Sequence, residues 1–132
     1  MTFSPTRKGT VLIPTGPVKH LHFICNDPVY HAGLDRECVL VVNITTADDD
    51  ECYDKTCILD VGDHPFVKHK SYVFYKESEI LVADNITRNV AEGNFAVHDP
   101  CSEVTFKRVI DGFDISDEVR IKIHRFYEKN VK

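Results

Sequence analysis

The chain has 132 residues, which is enough for one domain with a sizeable hydrophobic core, and we expect a single domain over residues 1–132. Its composition, 42% hydrophobic and 28% charged, is typical of a folded globular protein and not of a disordered chain. The formal net charge of −5 disfavours broad, nonspecific binding to duplex nucleic acid, and no apolar run is long enough to span a membrane.

Strand signals dominate the first two thirds of the chain. Short apolar or alternating segments are separated by turn signals rich in Pro, Gly, Asn and Asp. The most continuous β-branched run covers residues 37–44, which we predict to form the central strand. The other predicted strands are 9–13, 20–25, 56–59, 71–75, 79–82 and 104–109, and residues 91–100 are predicted to form a loop.

Near the end of the sequence, the spacing of apolar residues changes from a strand-like to a helix-like period. Ser116 is a suitable N-cap, and two acidic residues follow it where the helix dipole favours them. Val119, Ile123 and Phe126 then recur at helical spacing among basic residues, which predicts a short amphipathic C-terminal helix. Many short strands closed by one helix indicate a mainly β domain (β+α) with a small barrel-like sheet.

The loop before the predicted strand 71–75 is the stretch that is richest in reactive side chains. A Gly-Asp turn at 62–63 leads into two imidazoles, two lysines and a hydroxyl. These are His64, Lys68, His69, Lys70 and Ser71. Such a loop can bind a phosphate and exchange protons with it near neutral pH, where histidine titrates. A solvated hairpin loop without chemistry is the alternative.

Cysteine usage and the N-terminal residues bear on the cellular compartment. The five cysteines are odd in number, and residues 1–8 lack the apolar middle of a signal peptide. We therefore expect a cytoplasmic protein without disulfides, in which Cys25 and Cys38 are buried thiols.

The order of four motifs resembles the MazF/PemK family of growth-inhibitor toxins. Residues 9–12 read Gly-Thr-Val-Leu, residues 35–43 read Asp-Arg-Glu-Cys-Val-Leu-Val-Val-Asn, residues 68–75 read Lys-His-Lys-Ser-Tyr-Val-Phe-Tyr, and residues 112–118 read Gly-Phe-Asp-Ile-Ser-Asp-Glu. They are similar to the first strand, the arginine loop with its strand, the Lys-x-Ser-x-Val segment and the helix-opening segment of the family. The usual Gly-x-Glu-Gln-x-Gly-x-Arg-Arg-Pro stretch is reduced to a loop with one arginine, as in a divergent relative of phage or prophage type.

The resemblance implies a fold and an activity. The fold would be a small SH3-like antiparallel barrel with a C-terminal amphipathic helix, forming a homodimer. The activity would be sequence-selective endoribonuclease cleavage of single-stranded RNA, with no metal or other cofactor, no membrane segment, and an antitoxin protein as partner. Some relatives on this fold instead poison DNA gyrase, so the fold alone does not define the activity.

Metal-free RNA cleavage needs a base, an acid and donors to the phosphoryl oxygens. Arg36 is predicted to hold the phosphate, because a guanidinium stays charged and binds two oxygens at once. A surface salt bridge to Asp35 or Glu37 is the alternative for this arginine. His20 and His22 alternate on a strand and should share one face, either as proton-transfer groups or as part of an exposed polar face.

The complete predicted site has two groups of residues. The catalytic group is Arg36, His20, His22, His69 and Ser71, and the substrate-binding group is Lys19, His64, Lys68, Lys70, Tyr72 and Thr45. Ser71 is alternatively a hydroxyl satisfied by backbone at the start of a strand. Tyr72 and Phe74 share one face and can stack on bases, Tyr75 lies on the other, and one of these faces is expected to be core.

Two other interpretations are consistent with the sequence. Cys52 and Cys57 together with His20 and His22 would supply four zinc ligands, although nothing in the sequence brings the two pairs together. The chain would alternatively be a non-catalytic interaction module on the same barrel, which binds a protein partner. The net acidity and the reduced arginine loop favour the interaction module.

Overall fold

The predicted mainly β architecture is confirmed. A computed structural model describes residues 2–132, which form eight strands, three α-helices and a 3-10 helix at Tyr75–Glu77. The strands are β1 (Thr10–Thr15), β2 (Val18–Ile24), β3 (Val29–His31), β4 (Arg36–Thr46), β5 (Ile58–Leu59), β6 (Ser71–Val73), β7 (Glu79–Val82) and β8 (Ala96–His98). The helices are α1 (Ala83–Ala91), α2 (Glu103–Ile115) and α3 (Ile121–Asn130).

Strand β4 is central, as its continuous β-branched sequence predicts. The sheet has the order β5-β6-β4-β2-β1-β8, and β3 and β7 also pair with β4. Every pairing is antiparallel. Within residues 2–132 no pairing joins β5 to β8, so the sheet is not closed and the expected SH3-like barrel is not confirmed.

The core lies on both faces of the sheet because side chains alternate along β4. Leu40 and Val42 belong to a large cluster that includes aromatic residues of α2 and α3. Val39 and Val41 belong to a smaller cluster with Ile86 of α1. Burial on both faces explains why the β4 sequence is a continuous apolar run.

The sheet forks between β2 and β4. Strand β2 pairs with β4 only at residues 22–24, whereas residues 18–21 pair with β1 alone. The last residues of β4, 44–46, pair with β6 on the other edge of β4 and with no residue of β2. The two strands therefore separate, and they leave a gap at one end of the sheet.

The segment 104–109 is helical, so its prediction as a strand was wrong. It belongs to α2, which begins after Ser102, whose side chain accepts a hydrogen bond from the Thr105 N–H. Phe106, Val109 and Phe113 of this helix are fully buried. Their spacing of three and four residues is helical, and the packing they make overrides the local β-branched preference.

The predicted C-terminal helix exists but begins later than expected. It starts at Ile121, and Ser116 is the C-cap of α2 and not an N-cap. The Ser116 hydroxyl accepts from the Glu118 N–H and donates to Asp54 Oδ2 at 2.6 Å, so it fixes the link between the two helices. Ile123 and Phe126 are buried as predicted.

The prediction of a loop over residues 91–100 was also wrong in part. This segment contains the end of α1 and strand β8, which pairs with β1 at the sheet edge. The predicted strands 9–13, 20–25, 37–44 and 79–82 are confirmed within a few residues, and 56–59 and 71–75 are shorter, at Ile58–Leu59 and Ser71–Val73.

Among residues 2–132 no helix is both long and apolar enough to cross a membrane.

Candidate functional site

The fork between β2 and β4 opens a groove of about 490 Å³, here named the β2–β4 groove. Its walls are the start of β2, the end of β4 and the loop before β6. The lining residues are Val18, Lys19, His20, Ile44, Thr45, Thr46, Phe66, Val67, Lys68, His69 and Ser71. Six of them are predicted site residues, so segments far apart in sequence converge here as the prediction required.

The β2–β4 groove is locally basic although the whole chain is acidic. Lys19 and Lys68 are exposed on it, and no acidic residue lines it. Neither lysine forms an ion pair with any acidic group of residues 2–132. Local potential, not total charge, governs attraction of an anion to such a site.

His20 is oriented by its neighbours on the β1–β2 hairpin. Its Nδ1 hydrogen-bonds with Thr15 Oγ1, and its side chain is half-buried. In the described part of the chain, Nε2 of His20 has no hydrogen-bond partner. The ring is therefore held by one nitrogen and leaves the other available in the groove.

His69 and Ser71 occupy the opposite wall. His69 is exposed, and its backbone carbonyl oxygen accepts a hydrogen bond from Ser71 Oγ at 2.9 Å. Ser71 itself is buried. The hydroxyl proton of Ser71 is thus bound to the backbone, as in the alternative that the sequence left open for this residue. Ser71 therefore positions the loop that carries His69.

His22 is buried beside the groove and does not line it. It shares a sheet face with His20, as the alternation predicts, and its Nδ1 donates to the His20 carbonyl oxygen at 2.9 Å. Burial lowers the pKa of His22 to about 4, so the imidazole is uncharged at neutral pH. Asn43 lies opposite it in β4, and its Oδ1 is buried without a hydrogen-bond partner in the described residues.

His64 has a structural role in the loop. The Phe66 N–H donates to its Nδ1 at 3.0 Å, so Nε2 carries the proton and donates to the Asp99 carbonyl oxygen at 2.7 Å. Burial lowers the pKa of His64 and favours this neutral form. His64 therefore anchors the segment that carries Lys68 and His69, and it does not reach the groove itself.

Three other predicted site residues, Arg36, Lys70 and Tyr72, lie outside the β2–β4 groove. Arg36 is exposed at the start of β4, opposite His31, and Thr45 comes nine positions later. At about 3.3 Å per residue this places Arg36 about 30 Å from the groove. Lys70 pairs with Asp49 at 3.3 Å. Tyr72 alternates with Ser71 and lines a different groove.

The zinc arrangement is not formed. The only group of at least three potential ligands that converge within residues 2–132 is Asp114, His124 and Glu128, with ligand atoms within 4.8 Å of one another. Lys132 Nζ lies 3.2 Å from Asp114 and 3.8 Å from Glu128, so a cationic side chain already forms ion pairs with both acids. All five cysteines are free, and Cys25 and Cys38 are buried as predicted.

The sequence prediction missed the apolar floor of the groove. Ile44, Val67 and the half-buried Phe66 line it together with the charged residues. A signal was present, because Phe66 and Val67 interrupt an otherwise charged loop. Apolar residues inside a charged loop are typical of a loop that packs against its own sheet.

Comparison with known proteins does not assign the chain to a family. No family model matches it, and no curated protein or solved structure is significantly similar to it. The resemblance to MazF/PemK toxins therefore remains a prediction from sequence motifs, and the function is argued from the β2–β4 groove.

Proposed function

We propose that the β2–β4 groove binds the backbone of single-stranded RNA and cleaves it without a metal ion. The observation that carries this proposal is the convergence of two imidazoles, His20 and His69, with two lysines that have no acidic partner in residues 2–132. The motif resemblance supports the same activity, and it also predicts a homodimer and an antitoxin protein partner.

The lysines replace Arg36 as the groups that hold the phosphate. An ammonium group donates hydrogen bonds to phosphoryl oxygens and stabilises the charge that develops on them during reaction. Lys19 belongs to β2 and Lys68 to the loop before β6, and in this mechanism the phosphate lies between the two lysines. Arg36 has no role in this mechanism because it is at the far end of β4.

The two imidazoles supply proton transfer. One accepts the proton of the ribose 2′-hydroxyl, whose oxygen then attacks the adjacent phosphorus, and the other donates a proton to the departing 5′-oxygen. The products are a 2′,3′-cyclic phosphate and a 5′-hydroxyl. His20 is the better positioned of the two, because Thr15 holds its Nδ1 and leaves Nε2 for the substrate.

The size of the groove restricts the substrate. A volume of about 490 Å³ is in the range of small-ligand pockets, about 300–1,000 Å³. It suits one phosphate with the adjacent ribose, and the net charge of −5 opposes wider contact with a duplex. Single strands are therefore the expected substrate.

The test is incubation of the purified protein with long single-stranded RNA in the presence of a chelator, followed by mapping of the cut ends. We expect discrete cuts that end in 2′,3′-cyclic phosphate. His20→Ala and His69→Ala should each slow cleavage about 10²–10⁴-fold, the usual contribution of general acid–base catalysis. Arg36→Ala and His124→Ala, which change charged or titratable residues outside the groove, should cleave at the unaltered rate.

Two results would contradict the proposal. The first is the absence of cleavage across several RNAs, which would favour the non-catalytic interaction module. The second is cleavage that survives both histidine substitutions, since the activity would then lie outside the β2–β4 groove.

A further inference from the structure

A second groove, of about 870 Å³, lies on the side of β6 that Tyr72 faces. Three aromatic side chains form its wall: the rings of Tyr53 and Tyr72 stack with centroids 4.8 Å apart, and Phe74 lies 5.4 Å from Tyr72. All three are only half-buried. We name this surface the aromatic groove.

The aromatic groove is acidic, in contrast to the β2–β4 groove. Four carboxylates and two cationic groups line it. The carboxylates are those of Asp54, Glu77, Glu79 and Glu118, and they come from the segment before β5, the 3-10 helix, β7 and the α2–α3 link. None of the three glutamates forms an ion pair within residues 2–132. Negative charge is thus contributed by several elements next to the rings.

The two cationic groups do not neutralise this charge fully. The Arg120 guanidinium donates a hydrogen bond to the Ser78 carbonyl oxygen, so it is attached to the backbone of the groove wall. Lys76 is exposed and has no acidic partner within 4.0 Å in the described residues. Asp54 stays charged: burial raises its pKa, but hydrogen bonds from Ser116 and Thr56 outweigh burial and hold it below the ordinary value.

A cation already lies against the aromatic wall. Lys55 Nζ lies 5.6 Å from the centroid of the Tyr53 ring, within the distance of a cation–π interaction. Tyr72 and Phe74 also line the groove, and their side chains are only half-buried. The wall therefore suits a second cation, supplied from outside.

We propose that the aromatic groove binds a peptide segment of a partner protein through an arginine side chain. A guanidinium is planar, stacks on aromatic rings and pairs bidentately with a carboxylate, so it uses both features of this surface. A groove near the upper end of the usual pocket range accommodates main chain as well as one long side chain. The binding site is separate from the β2–β4 groove and does not depend on RNA cleavage.

RNA is the competing occupant of the same rings, because bases also stack on tyrosine and phenylalanine. The carboxylates oppose it, since they repel a phosphate backbone. The aromatic groove approaches the β2–β4 groove at Thr45, which lies opposite Tyr72, but neither Lys19 nor Lys68 lines the aromatic groove. Charge complementarity therefore favours the arginine-bearing peptide.

The experiment is selection of random twelve-residue peptides displayed on phage against the immobilised protein, followed by fluorescence anisotropy with the enriched peptides. We expect enrichment of arginine, and loss of at least tenfold in affinity when the arginine of a selected peptide is replaced by glutamine. Tyr72→Ala and the double variant Glu77→Gln/Glu79→Gln should each weaken binding at least fivefold. Lys76→Ala should strengthen binding, because it removes a repelling charge from the groove.

Matched variants separate binding from folding. Tyr72→Phe keeps the ring and should retain binding, and Tyr30→Ala removes an exposed tyrosine on β3, away from the groove, without effect. Selected peptides without a cationic residue, or binding that is indifferent to the glutamate and tyrosine variants, would overturn the proposal. So would a labelled oligouridylate whose affinity falls in Tyr72→Ala and rises in Glu77→Gln/Glu79→Gln, since RNA would then be the occupant.

Discussion

Buried histidines make the stability of this protein sensitive to mild acid. In the folded chain burial lowers the pKa of His22 to about 4, from 6.5 for an exposed histidine. Between these two values the unfolded chain binds a proton that the folded chain does not bind. Stability therefore falls as the pH falls from about 6.5 towards 4, and this contribution is constant outside that window.

At pH 5, the contribution of His22 should lower the free energy of unfolding by about 2 kcal/mol relative to pH 7.5. His22→Asn removes the titrating group, and its amide can still donate to the His20 carbonyl oxygen that His22 now contacts. Urea unfolding at the two pH values measures the difference, which should be smaller in the variant by about that amount. A residual pH dependence is expected from His64, whose pKa burial also lowers.

The matched control is His124→Asn, on a half-exposed side chain of α3. The free energy of unfolding of this variant should change between the two pH values by the same amount as in the unaltered chain. If His22→Asn also retained the whole pH dependence, His22 would not be the buried neutral group that the structure shows.

Helix α2 packs closely against the side chain of Tyr75, in the 3-10 helix, at Gly112. Tyr75 is fully buried beneath it and donates to the Val109 carbonyl oxygen at 2.7 Å. A Cβ atom at position 112 would lie 1.8 Å from Tyr75 Oη and 2.4 Å from Cζ. Glycine is therefore required by a close approach inside a helix, where its intrinsic propensity is poor.

Gly112→Ala should destabilise the protein, because the helix or the tyrosine ring must shift. Helix propensity alone predicts a gain of about 1 kcal/mol for alanine, whereas overpacking in a core costs about 1–3 kcal/mol. We expect a net loss, measured as the urea midpoint of unfolding. Val104→Ala, at a side chain of the same helix that is 76% exposed, is the control and should change little. A gain in stability for Gly112→Ala would show that the approach is not tight.

The same glycine explains why α2 could not be predicted from sequence. Val104, Thr105 and Val109 favour a strand locally, and Gly112 is typical of a turn that follows one. The packing of Phe106 and Phe113 in the core decides the outcome, and this packing is visible only in the folded protein. By contrast, β4 and residues 20–24 of β2 were predictable because alternation or a continuous apolar run in the sequence already indicates a strand.

At the scale of the whole molecule, strand pairing decided which predicted site residues meet. Strand β2 runs antiparallel to β4 with His22 opposite Asn43, so the histidines lie near the end of β4 and Arg36 lies near β3. Sequence motifs predicted that these segments were strands, but they do not contain the register between them. This is why His20, Thr45 and Ser71 lie together in the structure and Arg36 lies apart from them.

The distribution of charge gives the last prediction, the salt dependence of RNA binding. Within residues 2–132, five lysine and arginine side chains outside the β2–β4 groove are paired with acids, among them Lys8 with Glu103 and Lys107 with Asp111. Lys19 and Lys68 are unpaired in the described residues, so about two phosphates should be neutralised on binding. For a single strand, two contacts predict a slope of about −1.4 in a plot of log affinity against log salt concentration.

Substitution of one groove lysine should halve that slope. Lys19→Gln leaves one phosphate contact, for which the expected slope is about −0.7. The measurement uses a 2′-O-methyl oligoribonucleotide, which binds but lacks the hydroxyl that attacks the phosphorus, so cleavage does not interfere. Lys122→Gln, on α3 and outside the groove, should keep the full slope. If instead both variants gave equal slopes, the phosphates would contact a surface other than the β2–β4 groove, because Lys19 lines that groove and Lys122 does not.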